Sequence, residues 1–417
     1  MELLANGLVR LLLAGVAIAL LATAAIVLRA RQRSHGRIIR VVGVGSGGAN
    51  AIEAMIRARI RGVEYVVMNT DLSALRHSSA RRRIAIGKPV TNGLGTGGDA
   101  SIGEAAARSA VEEIGRTLAG SDLVVITAGL GGGTGSGAAP VVAEIARQQG
   151  ALTMAVVTKP FGFEGARRQH VAQSAAAALV GNVDAVATIP NDRVRDIMPA
   201  DVTVEDAFRA IDDVMRHSVG KIVDLIAVPG RINLDFADVR AVLQGGGAAV
   251  VGLGRAAGEN RATEAARSAM AATLLEGRME GATSILLNVS GSRKLKLAEL
   301  DAVAETVLAA AGQDAKVAFG ISLHPRLRNE VQVTLIATGF DPARSVDGQA
   351  GTPASATPPE WRPVWLRRSA VEPDPEPTPI PRSRRTKRTA ARDRQDAQDA
   401  TDVTFVTGAD GGFSAME

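Results

Sequence analysis

The chain has 417 residues, enough for two or three domains with cores of their own. It is 46% hydrophobic but only 3% aromatic, so the core must be built from Ala, Val, Leu and Ile, a composition that suits small helices layered on a sheet. It has no cysteine, which excludes disulfides and thiolate metal sites, and its net charge of +5, with the basic residues gathered near the two ends, is not the chain-wide footprint of a nucleic-acid-binding protein.

The first element is apolar. Leu11 to Leu28 holds no charged residue, and as a helix it would be roughly 27 Å long, enough to cross a bilayer core. Arg29, Arg31, Arg33 and Arg37 follow it, while only Arg10 precedes it, so the positive-inside bias puts the rest of the chain in the cytoplasm. A cleaved signal peptide is the alternative, but it calls for the charge to come first. The expectation is a retained membrane anchor over residues 1–36.

From Arg37 strands alternate with helices: "RIIRVVGVG" as strand, "ANAIEAMIRARI" as helix, "VEYVVMNTD" as strand, "IGEAAARSAVEEIGRTLA" as one helix and "DLVVITAGL" as strand. "APVVAEIARQQG" then reads as helix and "ALTMAVVTKP" as strand. The strands lack polar alternation, which predicts an α/β domain on a parallel sheet covered on both faces, over 37–203. Val204, Ala207, Phe208, Ile211, Val214, Met215, Val219, Ile222 and Leu225 then keep helical spacing, predicting one long helix of roughly 30 Å within 204–230. A second α/β domain is expected over 231–340, with strands at "SILLNVSG", "AKVAFGISL" and "EVQVTLIATG". Residues 341–417, rich in Pro, Ser, Thr and Ala and then basic, read as a disordered tail.

Three glycine clusters fall between strands and helices. "GVGSGGAN" carries Gly43, Gly45 and Gly48 in G-x-G-x-x-G spacing, with Asp71 where a ribose acid would fall in a dinucleotide-binding fold. "GLGGGTGSG", Gly129 to Gly137, and "GLGTGGD", Gly93 to Asp99, are the others. Bare main-chain N–H groups at helix starts form anion sites, and Thr134 and Ser136 can add hydroxyl donors. Three loops on one sheet edge exceed what a nicotinamide pyrophosphate requires and suit a triphosphate; no P-loop motif occurs.

"GGGTGSG" resembles the phosphate-loop signature of the tubulin and FtsZ family. The resemblance runs from about Arg37 to Phe340, through "NTD" (Asn69 to Asp71), "TKPFGFEG" (Thr158 to Gly165), "IPND" (Ile189 to Asp192), "DAF" (Asp206 to Phe208) and "NLDFADVR" (Asn233 to Arg240), and it is closer to FtsZ, the bacterial division protein, than to tubulin. It implies the tubulin/FtsZ fold and GTP as ligand and substrate, with Mg²⁺ on the phosphates. Gly45, Ser46, Gly47 and Gly48, with Gly131, Gly132, Gly133, Thr134, Gly135, Ser136 and Gly137, match the phosphate loops. Gly97 belongs to the third loop, and Asp71 and Asn50 match residues at the nucleotide. Glu164 and Arg168 match the ribose contacts, and Asn191, Phe208 and Asp212 the base contacts, with Phe208 stacked on the purine. Without the motif, Phe208 reads as an ordinary core residue. Ser46, Gly98, Asp99 and Ser136 depart from common family choices without removing a required group.

Asp235 and Asp238 open a helix, where carboxylates also serve as caps. They lie some 25 Å or more along the long helix from Phe208 and Asp212, too far to reach their own nucleotide. In the family this segment enters the next subunit of a head-to-tail filament, which implies that Asn233, Asp235 and Asp238 complete a neighbour's catalytic site. "PVWLRR", Pro363 to Arg368, resembles the family's adaptor-binding peptide, although a longer tail follows it than the family usually has. The whole reads as a self-assembling, membrane-tethered GTPase of cell division on the cytoplasmic face of the inner membrane at the division site, without nucleic-acid partners. A membrane-bound scaffold co-assembling with a standard FtsZ is the alternative, and a nicotinamide dehydrogenase rests on G-x-G-x-x-G alone.

Overall fold

The computed structural model describes residues 37–196, 198–199, 201–227, 234–271, 281–312, 314–324 and 327–340. Leu11 to Leu28, Asn233 and Pro363 to Arg368 lie outside them. Among the described residues no helix is long and apolar enough to cross a membrane.

The chain opens with β1 (Ile39–Val44), α1 (Gly45–Arg57), β2 (Glu64–Asn69), α2 (Leu72–Arg76), β3 (Arg82–Ala85), α3 (Lys88–Thr91), α4 (Ala100–Arg108) and α5 (Val111–Leu118). It continues through β4 (Leu123–Gly129), α6 (Gly133–Gln148), β5 (Leu152–Lys159), α7 (Ala166–Asn182), β6 (Ala185–Pro190) and α8 (Asn191–Asp196). Strands β3-β2-β1-β4-β5-β6 lie side by side and all parallel, as their unbroken apolar runs require. Their core gathers Val42, Val44, Met68, Ile126, Val142 and Leu179, all fully buried, with no aromatic residue among them.

The long helix α9 (Val204–Ala227) follows, 24 residues and about 36 Å. Then come α10 (Phe236–Leu243), β7 (Gly247–Ala257), α11 (Arg261–Ala271), β8 (Ser284–Gly291), α12 (Leu297–Ala311), β9 (Lys316–Leu323) and β10 (Glu330–Thr338). β7 pairs parallel to β6 through Ala185 opposite Gly247, and its other edge pairs antiparallel to β10. A single ten-stranded sheet therefore runs through both halves, ending β7-β10-β8-β9. A second core forms around Val250, Leu287, Val303, Val307, Val333 and Leu335. Arg261, a residue only 6% exposed, staples it: its guanidinium donates to both Glu299 carboxylate oxygens and to Asn329.

Two expectations need correction. The helix expected over Ile102 to Ala119 is two, α4 and α5: the Ser109 hydroxyl bonds back to the Ala106 carbonyl, and the chain breaks at Ala110. α5 then turns Ile114 and Leu118 fully into the core. Strand β7 was not expected, because its glycines interrupt any apolar pattern; Gly252 and Gly254 are bare so that α11 can lie against the strand.

Candidate functional site

The three glycine clusters meet at the C-terminal edge of the parallel strands, and most of their glycines serve close packing. A Cβ on Gly48 would collide with the Thr127 carbonyl of β4, so the first turn of α1 is pressed into the sheet. One on Gly47 would lie 3.0 Å from the Gly129 Cα, and one on Gly135 would collide with the Gly129 carbonyl. On the other side of α6, Gly133 faces the Asp99 main chain and Gly137 the Ala100 carbonyl, while Gly103 of α4 faces the Gly133 carbonyl. The starts of α1, α4 and α6 are thereby drawn together at one point. Each brings first-turn N–H groups with no acceptor within its helix, so the meeting point is an anion site built from main chain.

Other glycines leave room. Gly132 has nothing within 4 Å of a Cβ position, nor have Gly97 and Gly98, which also hold left-handed backbone (φ 59° and 84°). Gly45 is left-handed too (φ 71°), turning β1 directly into α1. Ser46 and Asn50 are exposed on α1.

The two hydroxyls have partners within the protein. Thr134 Oγ1 shares a 2.7 Å hydrogen bond with Thr70 Oγ1, joining the start of α6 to the end of β2. Ser136 Oγ, buried, accepts from the Gly131 N–H at 2.8 Å and so holds the loop closed on itself. Asp71 is the N-cap of α2: its Oδ1 accepts from the Ser73 and Ala74 N–H groups. Asn69 Nδ2, beside it on β2, is buried with no partner.

Beyond the loops, Glu164 and Arg168 form an ion pair of 2.5 Å one helical turn apart, and the other Glu164 oxygen accepts from the Phe161 N–H. Phe208, on the first turns of α9, is 43% exposed and so no core residue; it meets the Phe161 ring edge to face, centroids 5.5 Å apart. Phe161 in turn stacks on Phe163 at 5.0 Å. Asp212 lies one turn further along α9. Burial pushes its carboxyl up to about 7, against the pull of Arg57 and with the help of Asp213. Asn191, buried at the start of α8, carries an Oδ1 with no hydrogen-bond donor. An exposed aromatic face, a desolvated acid and an unfilled acceptor suit a flat heterocycle bearing N–H donors. The resemblance to the tubulin and FtsZ family pointed to Phe208, Asp212 and Asn191. Thr70, Phe161 and Phe163 escaped that reading, although "TKPFGFEG" held two of them.

Asp235 and Asp238 are exposed at the start of α10, where Asp238 Oδ2 accepts from the Asp235 N–H at 3.1 Å. The capping role is therefore present. From Phe208 to the far end of α9 is about 28 Å, and Arg37 reaches both the Ile226 carbonyl near that end and the Phe236 ring beside the acids. Between Asp235 and Asp238, Phe236 lies between two guanidiniums, Arg37 and Arg240, each 5.4 Å from the ring centroid. Arg37 also donates to the Ile226 carbonyl at the end of α9.

Comparison with known proteins agrees with this geometry. Residues 38–199 match the Tubulin/FtsZ family GTPase domain, and residues 247–341 the FtsZ family C-terminal domain. FtsZ of M. jannaschii, solved as an empty dimer, is 40% identical, with a TM-score of 0.69 over 76% of this chain and 92% of that one. CetZ2 from Haloferax volcanii, solved as a GTPγS-bound protofilament, is 23% identical and shares the fold at a TM-score of 0.64, over 73% of this chain and 94% of that one. The converging glycine loops, the long helix between two halves of one sheet and these likenesses together establish that the chain belongs to the tubulin/FtsZ family and is a GTPase of that family.

Proposed function

We propose that the protein is a polymerising GTPase whose active site is shared between head-to-tail subunits. The observation that carries this reading is the length of α9: Phe208 lies about 28 Å from its far end, and the two exposed carboxylates follow that end on α10. A single subunit cannot bring both to one phosphate. A head-to-tail repeat can, and such contacts, when they do not close, generate open filaments. That an FtsZ 40% identical to this chain was solved as a dimer supports the reading.

In this account the purine stacks on Phe208 and presents N1–H and its 2-amino group to Asp212 and Asn191, a donor pair that adenine lacks. Glu164 and Arg168 bind the ribose. The phosphates lie on the N–H groups of Gly45 to Gly48, Gly97 and Gly131 to Gly137, with Asn50 and Asp71 alongside. Mg²⁺ would be held chiefly by phosphate oxygens and water; Asp71, whose Oδ1 caps α2, keeps Oδ2 for a water of that shell. When bound, the ion neutralises charge on the phosphates. Asp235 and Asp238 of the neighbour, with Asn233, then orient and polarise the attacking water, which is what phosphoryl transfer asks of a protein.

The cellular reading follows from the sequence: filaments for cell division, tethered at the inner membrane by Leu11 to Leu28 and meeting division adaptors through Pro363 to Arg368. The test of the enzymology is Asp238→Ala. It should bind GTP as the parent does and lose turnover in the assembled state by about a hundredfold or more, the scale of a lost catalytic group. Parent-like turnover would defeat the proposal.

A further inference from the structure

Six arginines gather at one corner of the GTPase half. α1 ends at Arg57, and Arg59 and Arg61 lie in its connection to β2; Arg81 precedes β3, which Arg82 and Arg83 open. β2 and β3 run parallel with Val66 opposite Arg82, so both connections enter the sheet at the edge away from the glycine loops. Glu53 binds the two connections together, its Oε1 accepting from Ser78 Oγ at 2.8 Å and from the Ser79 N–H at 2.7 Å. Arg83 also donates to the Ser78 carbonyl.

All six are exposed, and among the described residues none forms an ion pair with a carboxylate. The acids of this stretch are engaged elsewhere. Glu53 is held by Ser78 and Ser79, Glu64 pairs with Arg40 at 2.9 Å, and Asp71 caps α2 at the opposite edge. Arg57 additionally acts on Asp212. Clustered like charge costs stability through self-repulsion and creates a field that an anionic partner relieves.

β1 enters the same edge, with Arg40 opposite Glu64. The sequence leading into it is Leu11 to Leu28, uncharged, then Arg29, Arg31 and Arg33. From Leu28 to the start of β1 the chain can reach no more than about 40 Å fully extended. The corner lies at the β3 margin of the sheet, whereas α10 packs on β5, β8, β9 and β10. We propose that this arginine corner is a docking face for an anionic phospholipid bilayer, acting with the N-terminal segment. The inference rests on reading Leu11 to Leu28 as membrane-seeking, and its test separates the two.

The chain has no native cysteine, so S79C takes a single fluorophore in the corner and E305C a control label on α12. The full-length protein is combined with vesicles bearing a headgroup quencher, either neutral phosphatidylcholine or the same lipid with phosphatidylglycerol. The label on S79C should be quenched in the anionic vesicles only, and that on E305C in neither. Molar salt, where the screening length is about 3 Å, should abolish the effect. R59E/R61E/R81E/R82E should weaken the anionic dependence about tenfold or more. R59Q/R61Q/R81Q/R82Q serves if the reversed variant melts differently from the parent. Retention on neutral vesicles through a molar-salt wash reads Leu11 to Leu28 alone. Equal quenching in neutral and anionic vesicles, no quenching in either, or arginine-dependent binding to double-stranded DNA in preference to vesicles would each overturn the docking face, whatever the anchor does.

Discussion

Phe208 stands edge-on to Phe161, with ring planes at 88° and centroids 5.5 Å apart, while 43% of its surface stays open. Phe161, itself 2% exposed, holds the ring in place while much of it stays open. Phe208→Ala should therefore cost binding more than folding. Base–aromatic stacking contributes about 1–3 kcal/mol, so the dissociation constant for GTP should rise about fivefold to 150-fold. Titration with a fluorescent guanine nucleotide checks this, and the melting temperature of the nucleotide-free protein should hardly move.

Asp212 gives guanine binding a pH dependence. Its carboxyl is raised to about 7 by burial, so in the free protein it is largely protonated below that pH. N1–H and amino donors require the ionised form, and binding must expel the proton. Affinity should thus rise with pH from about 5, by up to tenfold per unit, and level off above about 7. In the nucleotide-free protein the same raised carboxyl favours the folded state at low pH, and that contribution is lost as pH rises through about 7. Stabilisation by added nucleotide should accordingly grow between these limits. Asp212→Asn should flatten the dependence and weaken binding at neutral pH. Calorimetric titration across the range decides.

The glycines should divide by what surrounds them. A Cβ on Gly137 would strike the Ala100 carbonyl, and one on Gly135 the Gly129 carbonyl, both main-chain atoms that cannot swing aside. Gly137→Ala and Gly135→Ala should destabilise by about 1–3 kcal/mol through overpacking, lowering Tm by several degrees. Gly132 has extended backbone (φ −91°) and open space, so Gly132→Ala should leave Tm near the parent's. Thermal melts of the three variants without nucleotide are sufficient.

Arg37 joins the entry of the chain to the acid-bearing helix. It bonds the Ile226 carbonyl at the end of α9 and faces the Phe236 ring between Asp235 and Asp238. Exposed contacts of this kind are worth about 0.5–1 kcal/mol, so Arg37→Ala should lower turnover of assembled protein a few-fold and leave GTP affinity unchanged. Steady-state rates beside equilibrium binding separate the two effects.

The strand-to-helix alternation and the glycine clusters made the parallel sheet legible, because buried parallel strands read as unbroken apolar runs. The length of α9 was legible from its 3.6-residue spacing. The double use of glycine was not: Gly132, which leaves room, and Gly135, which makes close contact, are alike in sequence and differ only in which helix arrives from elsewhere. Nor was Asp212's raised carboxyl, which follows from its burial with Asp213 beside it and Arg57 pulling the other way, where α1 packs against α9. Ser136 reads as a phosphate donor, and its oxygen also accepts from the Gly131 N–H and so closes the loop, a bond that short-range pattern does not reveal. Strand β7 was hidden because the close approach of α11 replaced the expected side chains with glycine.

The central claim is that one molecule holds the nucleotide and its neighbour supplies the acids. GTP turnover per subunit, measured from extreme dilution upward, tests it most directly. The account predicts a rate near zero at low concentration and a steep rise past a threshold, absent in Asp235→Ala/Asp238→Ala. A rate per subunit that stayed constant across the whole range would contradict it.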